Sequence, residues 1–169
     1  MVWVIRLCIL LMLVAIALQD FKSRSVYWFW FPLLTVFLVA DLKLANHQSF
    51  MQTGEITLMN AGFLILQLLL VSVYFSVKNK RWINITNELL GWGDILLLLS
   101  ITCYFSILNY IFFYVFSLIA VVCIIIIRAL INRRYEQIPL AGLQACILCV
   151  CLGVSWYYKI NIANDEWIQ

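Results

Sequence analysis

Long apolar runs dominate this chain, and they leave few folds open to it. Read in windows of ~19 residues, six segments stand out: Val2–Gln19, Val26–Ala40, Ile56–Val77, Leu89–Leu108, Tyr110–Ile127 and Ile138–Tyr158. The third, fifth and sixth approach or exceed the ~20 residues that cross ~30 Å of hydrocarbon at ~1.5 Å per residue. The second is short, and the first carries Arg6, placed to snorkel to the nearby interface. The fourth and fifth fuse into a block of about 40 residues, too long for one span, with Asn109 as its only turn signal. A composition of 66% hydrophobic and 11% charged residues excludes a soluble globular domain, and 169 residues suit one domain. The expected fold is therefore all-α: a polytopic membrane helical bundle of about six transmembrane helices, with residues 1–169 as one domain. A cleaved secretory signal is the competing reading of the start, since Arg6, the apolar run and Ala15-Ile16-Ala17 fit that pattern. A retained first helix is the reading adopted.

Charge distribution orients the spans. The net charge of +3 is too small and dispersed to imply a nucleic-acid partner. Its placement is informative: the stretches after spans one, three and five hold Lys22 and Arg24, then Lys78, Lys80 and Arg81, then Arg128, Arg133 and Arg134. Only Arg6, Lys43 and Lys159 fall on the other side. The positive-inside rule then predicts that the three basic stretches are cytoplasmic and both termini are on the outer side.

In that frame two carboxylates need an explanation. Asp94, in "ELLGWGDILLLLS", precedes five consecutive aliphatics at the start of span four, and Asp20 lies at the end of span one. Both are predicted at the inner membrane boundary. Asp41, Glu55, Asp165 and Glu166 fall on the outer side, while Glu88 and Glu136 sit in polar loop sequence. A carboxylate at a helix N-terminus is favoured by the macrodipole, and one at an interface can pair with Lys22 or Arg24, so each aspartate alone has a structural account. The glycines add weight to a functional one. Gly91 and Gly93 each lower helix propensity by ~1 kcal/mol, a cost that makes sense where backbone must approach another chain closely. Two nearby aspartates cannot both ionise easily and share a proton. The ionised member can take a proton from water while the other donates to a peptide oxygen or departing nitrogen, which is the chemistry of an aspartic protease.

The same residues resemble the type IV prepilin (leader) peptidases, G-x-G-D membrane aspartic peptidases. "GWGD" fits their G-x-G-D signature, "DFKSRSV" fits their D-x-K-x-R-x-[IV] stretch, and "IPLAG" at Ile138 is similar to their I-P-F-G-P stretch. The order, the expected side and the separation of about 70 residues between the aspartates also agree. The resemblance implies that Asp20 and Asp94 are the catalytic pair, that Gly91 and Gly93 shape the site backbone, and that Lys22 and Arg24 line its cytoplasmic rim. It implies a pilin-like precursor as substrate, cut on the cytoplasmic face of a bacterial inner membrane to release a short basic leader. This chain departs from the pattern at Leu96, where lysine is usual, and at Tyr27 and Gly142, where proline is usual. It resembles the short form without the Cys-rich zinc domain, so no metal, cofactor or methyl transfer is expected.

The remaining features carry less. Cys8, Cys103, Cys123, Cys146, Cys149 and Cys151 all lie in apolar spans and read as packing residues. His47 reads as a solvated side chain. Tyr27, Trp28 and Trp30, and Trp156, Tyr157 and Tyr158, read as interfacial anchors. The stretch Lys78–Glu88 leads into Asp94 and is a candidate lid. A rival class is a small proton- or cation-coupled transporter with Asn60, Gln67, Ser72 and Gln144 along its path; another is a catalytically degenerate scaffold. Neither oligomeric state nor the identity of the precursor is legible in the sequence.

Overall fold

The computed structural model describes residues 1–46, 50–80, 91–131 and 140–164. His47, Arg81, Glu88, Arg133, Arg134, Glu136, Ile138, Asp165, Glu166 and most of the candidate lid lie outside the described residues. Among the described residues there are six helices and no strands. They are α1 (Val2–Ser23), α2 (Trp30–Asn46), α3 (Phe50–Asn79), α4 (Trp92–Ile101), α5 (Ile107–Ile131) and α6 (Leu140–Tyr158). Four of the six are long and apolar enough to cross a membrane, in the stretches Val2–Ser23, Met51–Asn79, Ile107–Ile124 and Leu140–Tyr158. The other two, α2 with 17 residues and α4 with 10, fall short of the usual spanning length.

A period of three to four residues sorts each helix into two faces. On α1, Ile9, Leu13, Ile16 and Ala17 are buried and Asp20 continues the same stripe, while Leu7, Leu11 and Leu18 face outward. On α4, Leu97, Leu98 and Ile101 are buried in line with Asp94, and on α6 Ala141, Ala145, Leu148 and Leu152 form the inward face. The outward faces are as apolar as the inward ones, as expected of helices whose surroundings are not water. The α1 helix packs most extensively on α6 and α2, and α4 rests on α2 and α6.

The fused fourth and fifth apolar segments do not turn at Asn109. The break falls at residues 102–106, and Asn109 is already in the first turn of α5. Buried carbonyls freed by a break inside apolar surroundings must find donors, and Asn60 supplies them. Its amide nitrogen donates to the Thr102 carbonyl at 2.9 Å and the Phe105 carbonyl at 2.8 Å. Asn109 instead donates to the Ser106 hydroxyl and the Ile162 carbonyl, tying the start of α5 to the segment after α6. Ser100 joins α4 to α2 by donating to the Phe31 carbonyl at 3.1 Å.

The two ends of the bundle are chemically distinct. Arg6 does not run out to the surface; its Nε donates to Asp41 at 3.0 Å, joining the start of α1 to the end of α2. Trp156 is likewise buried in the bundle, and its indole N–H donates to the Tyr104 hydroxyl at 3.0 Å. Asp20 and Asp94 lie at the opposite end, about 21 Å from Arg6 along α1 at ~1.5 Å per residue.

Candidate active site

Three helix termini meet at the Asp20 end. The last turn of α1 brings Asp20, the first turn of α4 brings Asp94, and the first turn of α6 arrives between them. Both carboxylates are buried, at 7% and 5% exposure. The amide of Gly142 donates to Asp20 Oδ2 at 2.6 Å, a bond that closes across 122 residues of sequence. Asp94 interacts with the neighbouring amide of Ala141 and with the charge of Asp20. Two consecutive backbone donors at the start of α6 therefore face two carboxylates from different helices. These donors have no intrahelical partner, and the positive end of the α6 dipole sits where the two negative groups gather.

Asp94 is also held from its own side. As the third residue of α4, it reaches back to accept the Gly91 amide at 3.1 Å, one half of a capping box. Gly91 has φ −69, which any residue adopts, and no glycine has positive φ among the described residues. A Cβ at Gly93 would meet Ala141 Cβ at 3.6 Å, Phe31 Cζ and Val26 Cγ2 at 3.9 Å, all ordinary contacts. Gly93 thus marks where α4 touches both α6 and the start of α2.

The tightest approach falls at Gly142. A Cβ there would lie 3.1 Å from Asp20 Oδ2 and 3.2 Å from the Ala17 carbonyl oxygen. By its sequence alone Gly142 is a departure from a motif proline. Proline has no N–H to donate, whereas Gly142 provides the shortest contact that Asp20 makes. Its signal in the sequence was a glycine two residues into an apolar helix, opposite an aspartate on another segment.

Lys22 and Arg24 lie exposed beside the site, at the end of α1 and just past it. Arg24 takes a left-handed conformation, φ 53 and ψ 25, and its N–H donates to the Asp20 carbonyl at 2.9 Å. That turn ends α1 immediately after the aspartate and sends the chain toward Val26, which lines Gly93. Tyr27 and Trp28 are exposed nearby. Leu96 is partly buried against the core, where no charge is provided for.

Three of the residues named for a transport path have their surroundings defined. Asn60 is occupied by the break after α4, and Gln67 lies beside the Tyr114 hydroxyl. Gln144 is fully buried, and among the described residues its amide has no hydrogen-bond partner. Among the described residues, no cluster of three or more His, Cys, Asp or Glu side chains could hold a metal ion.

Fold and site together define an all-helical chain, with several helices apolar enough for a multi-pass membrane protein and a buried aspartate pair at one end. Compared with models of known families, with curated proteins and with solved structures, the chain matches none.

Proposed function

We propose that this chain is an aspartic endopeptidase of the prepilin-peptidase type, with Asp20 and Asp94 as its catalytic pair. The observation that carries the reading is the convergence of two buried carboxylates, from α1 and α4, on the consecutive amides of Ala141 and Gly142. In this proposal the two carboxylates share one proton. The ionised member draws a proton from water, the water oxygen attacks the scissile carbonyl carbon, and the protonated member donates to the carbonyl oxygen. Collapse of the resulting intermediate passes a proton to the leaving nitrogen and restores the pair. The helix dipole of α6 offsets the negative charge that this cycle keeps at the site.

The reading extends to six spans, with α2 and α4 as shortened members, and to both termini on the outer side of a bacterial cytoplasmic membrane. The basic stretches around Lys22, Arg24 and Lys78 support that orientation. The substrate is then the N-terminus of a pilin-like precursor, cut at the cytoplasmic face, with Lys22 and Arg24 at the rim of the site and Gly91 and Gly93 along its backbone wall. A catalytically degenerate scaffold would have no need to bury two carboxylates together, a costly arrangement without function.

The test is N-terminal sequencing of pilin-like proteins from host cells carrying the intact chain, Asp20→Asn or Asp94→Asn, at matched membrane abundance. Both variants are expected to leave the leader attached. Trimming that continues unchanged in both would overturn the proposal.

A further inference from the structure

At the other end of the bundle lies a cavity of about 150 Å³, well above the ~10–15 Å³ that a single water requires. Its wall includes Arg6, Asp41, Tyr104, Trp156 and Lys159. We propose that it is a binding site for a phosphate group, as a monoester or a diester, independent of the aspartate pair.

Both Asp41 oxygens are already engaged: Oδ1 accepts the Arg6 Nε–H and Oδ2 accepts the Tyr104 hydroxyl, each at 3.0 Å. The Tyr104 oxygen in turn accepts the Trp156 indole N–H. The Ser155 hydroxyl is spent on the Ile160 carbonyl at 2.7 Å. Arg6 uses only Nε, and its two terminal amino groups make no hydrogen bond among the described residues. Asn161, also in the wall, accepts the Ala163 N–H at 3.3 Å, and the charged groups left to meet a ligand are a guanidinium edge and the Lys159 ammonium, both donors, with one net positive charge after Asp41. Such a site takes an acceptor-only anion.

The site is also preformed. The guanidinium carbon stands 5.5 Å from the Trp3 ring centre and 5.2 Å from that of Trp156, within cation–π range of both. With Nε anchored on Asp41, the paired terminal amino groups can present two parallel N–H bonds to two phosphate oxygens. Lys159 holds a left-handed φ of 56, unfavourable for a residue with a side chain. That turn lets the Ile160 N–H bond the Ser155 carbonyl at 2.9 Å and folds the chain back as the cavity wall. The wall is pinned by the Ile162 carbonyl, which accepts the Ser106 N–H and the Asn109 side chain. Exposed Tyr157 and Tyr158 beside it suit a headgroup layer, where phosphodiesters are abundant.

The experiment uses the full chain in non-ionic detergent, titrated by native mass spectrometry with short-chain phosphatidylglycerol and separately with inorganic phosphate. Saturable binding of one or both is expected, weakened about tenfold by Lys159→Gln, which removes one charge-assisted bond. Arg6→Lys keeps the charge but loses the paired donors, and it is expected to weaken binding of both probes. Binding of the lipid alone would assign the site to a membrane headgroup; binding of inorganic phosphate with the same loss in Lys159→Gln would assign it to a soluble anion. Absence of saturable binding of either probe, or full binding by Lys159→Gln, would overturn the proposal.

Discussion

Two glycines on α6 should respond to the same substitution with opposite signs. Alanine in place of a helical glycine stabilises by about 0.5–1 kcal/mol through lower chain entropy in the unfolded state. At Gly153 a Cβ meets nothing within 4 Å, so Gly153→Ala should show that full gain. At Gly142 the new Cβ would lie 3.1 Å from Asp20 Oδ2 and 3.2 Å from both Asp20 Cβ and the Ala17 carbonyl oxygen. Ordinary contacts begin at about 3.4 Å, so α6 must retreat by a few tenths of an ångström. The carboxylate can rotate, but the Ala17 oxygen belongs to the α1 backbone and cannot. Overpacking of this kind costs ~1–3 kcal/mol, and retreat also lengthens the 2.6 Å bond from the Gly142 amide to Asp20. The net expectation for Gly142→Ala is a loss of roughly 1–2 kcal/mol after the propensity gain. Unfolding of the two single variants and their double in one detergent measures this directly. The sites share no partner, so the double variant should show the sum. Leader removal should fall in Gly142→Ala and persist in Gly153→Ala. A Gly142→Ala protein as stable as the parent would refute the close-approach argument.

Two further outcomes follow from buried amides. Asn60→Leu strands the Thr102 and Phe105 carbonyls and should cost roughly 2–4 kcal/mol, read from the denaturation midpoint; an unchanged midpoint would mean that the break after α4 is satisfied in another way. Gln144→Leu removes a fully buried amide that bonds nothing among the described residues and should raise stability by about 1–3 kcal/mol, whereas a lowered melting temperature would show that the amide has a partner.

The apolar runs alone specify an all-helical chain suited to a membrane, because no other composition-driven fold hides backbone polar groups in hydrocarbon without partners from elsewhere. The sequence also singles out Asp20 and Asp94, since ionisable groups are costly inside apolar helices and only eight acidic residues exist in the chain. The break between α4 and α5 was not legible, because its donor, Asn60, comes from α3 and no local signal marks residues 102–106. Arg6 could be read only as a lone cation near an interface until the fold set Asp41 beside it, from 35 residues away. The role of Gly142 was hidden for the same reason. A glycine that stands in a motif for proline looks like a loss in one dimension, and it becomes a hydrogen-bond donor only when α6 lies against α1. Local patterning determines which faces are apolar and which residues are costly to bury. Which costly residues meet depends on helix packing, whose partners are distant in sequence, so only the tertiary structure decides it.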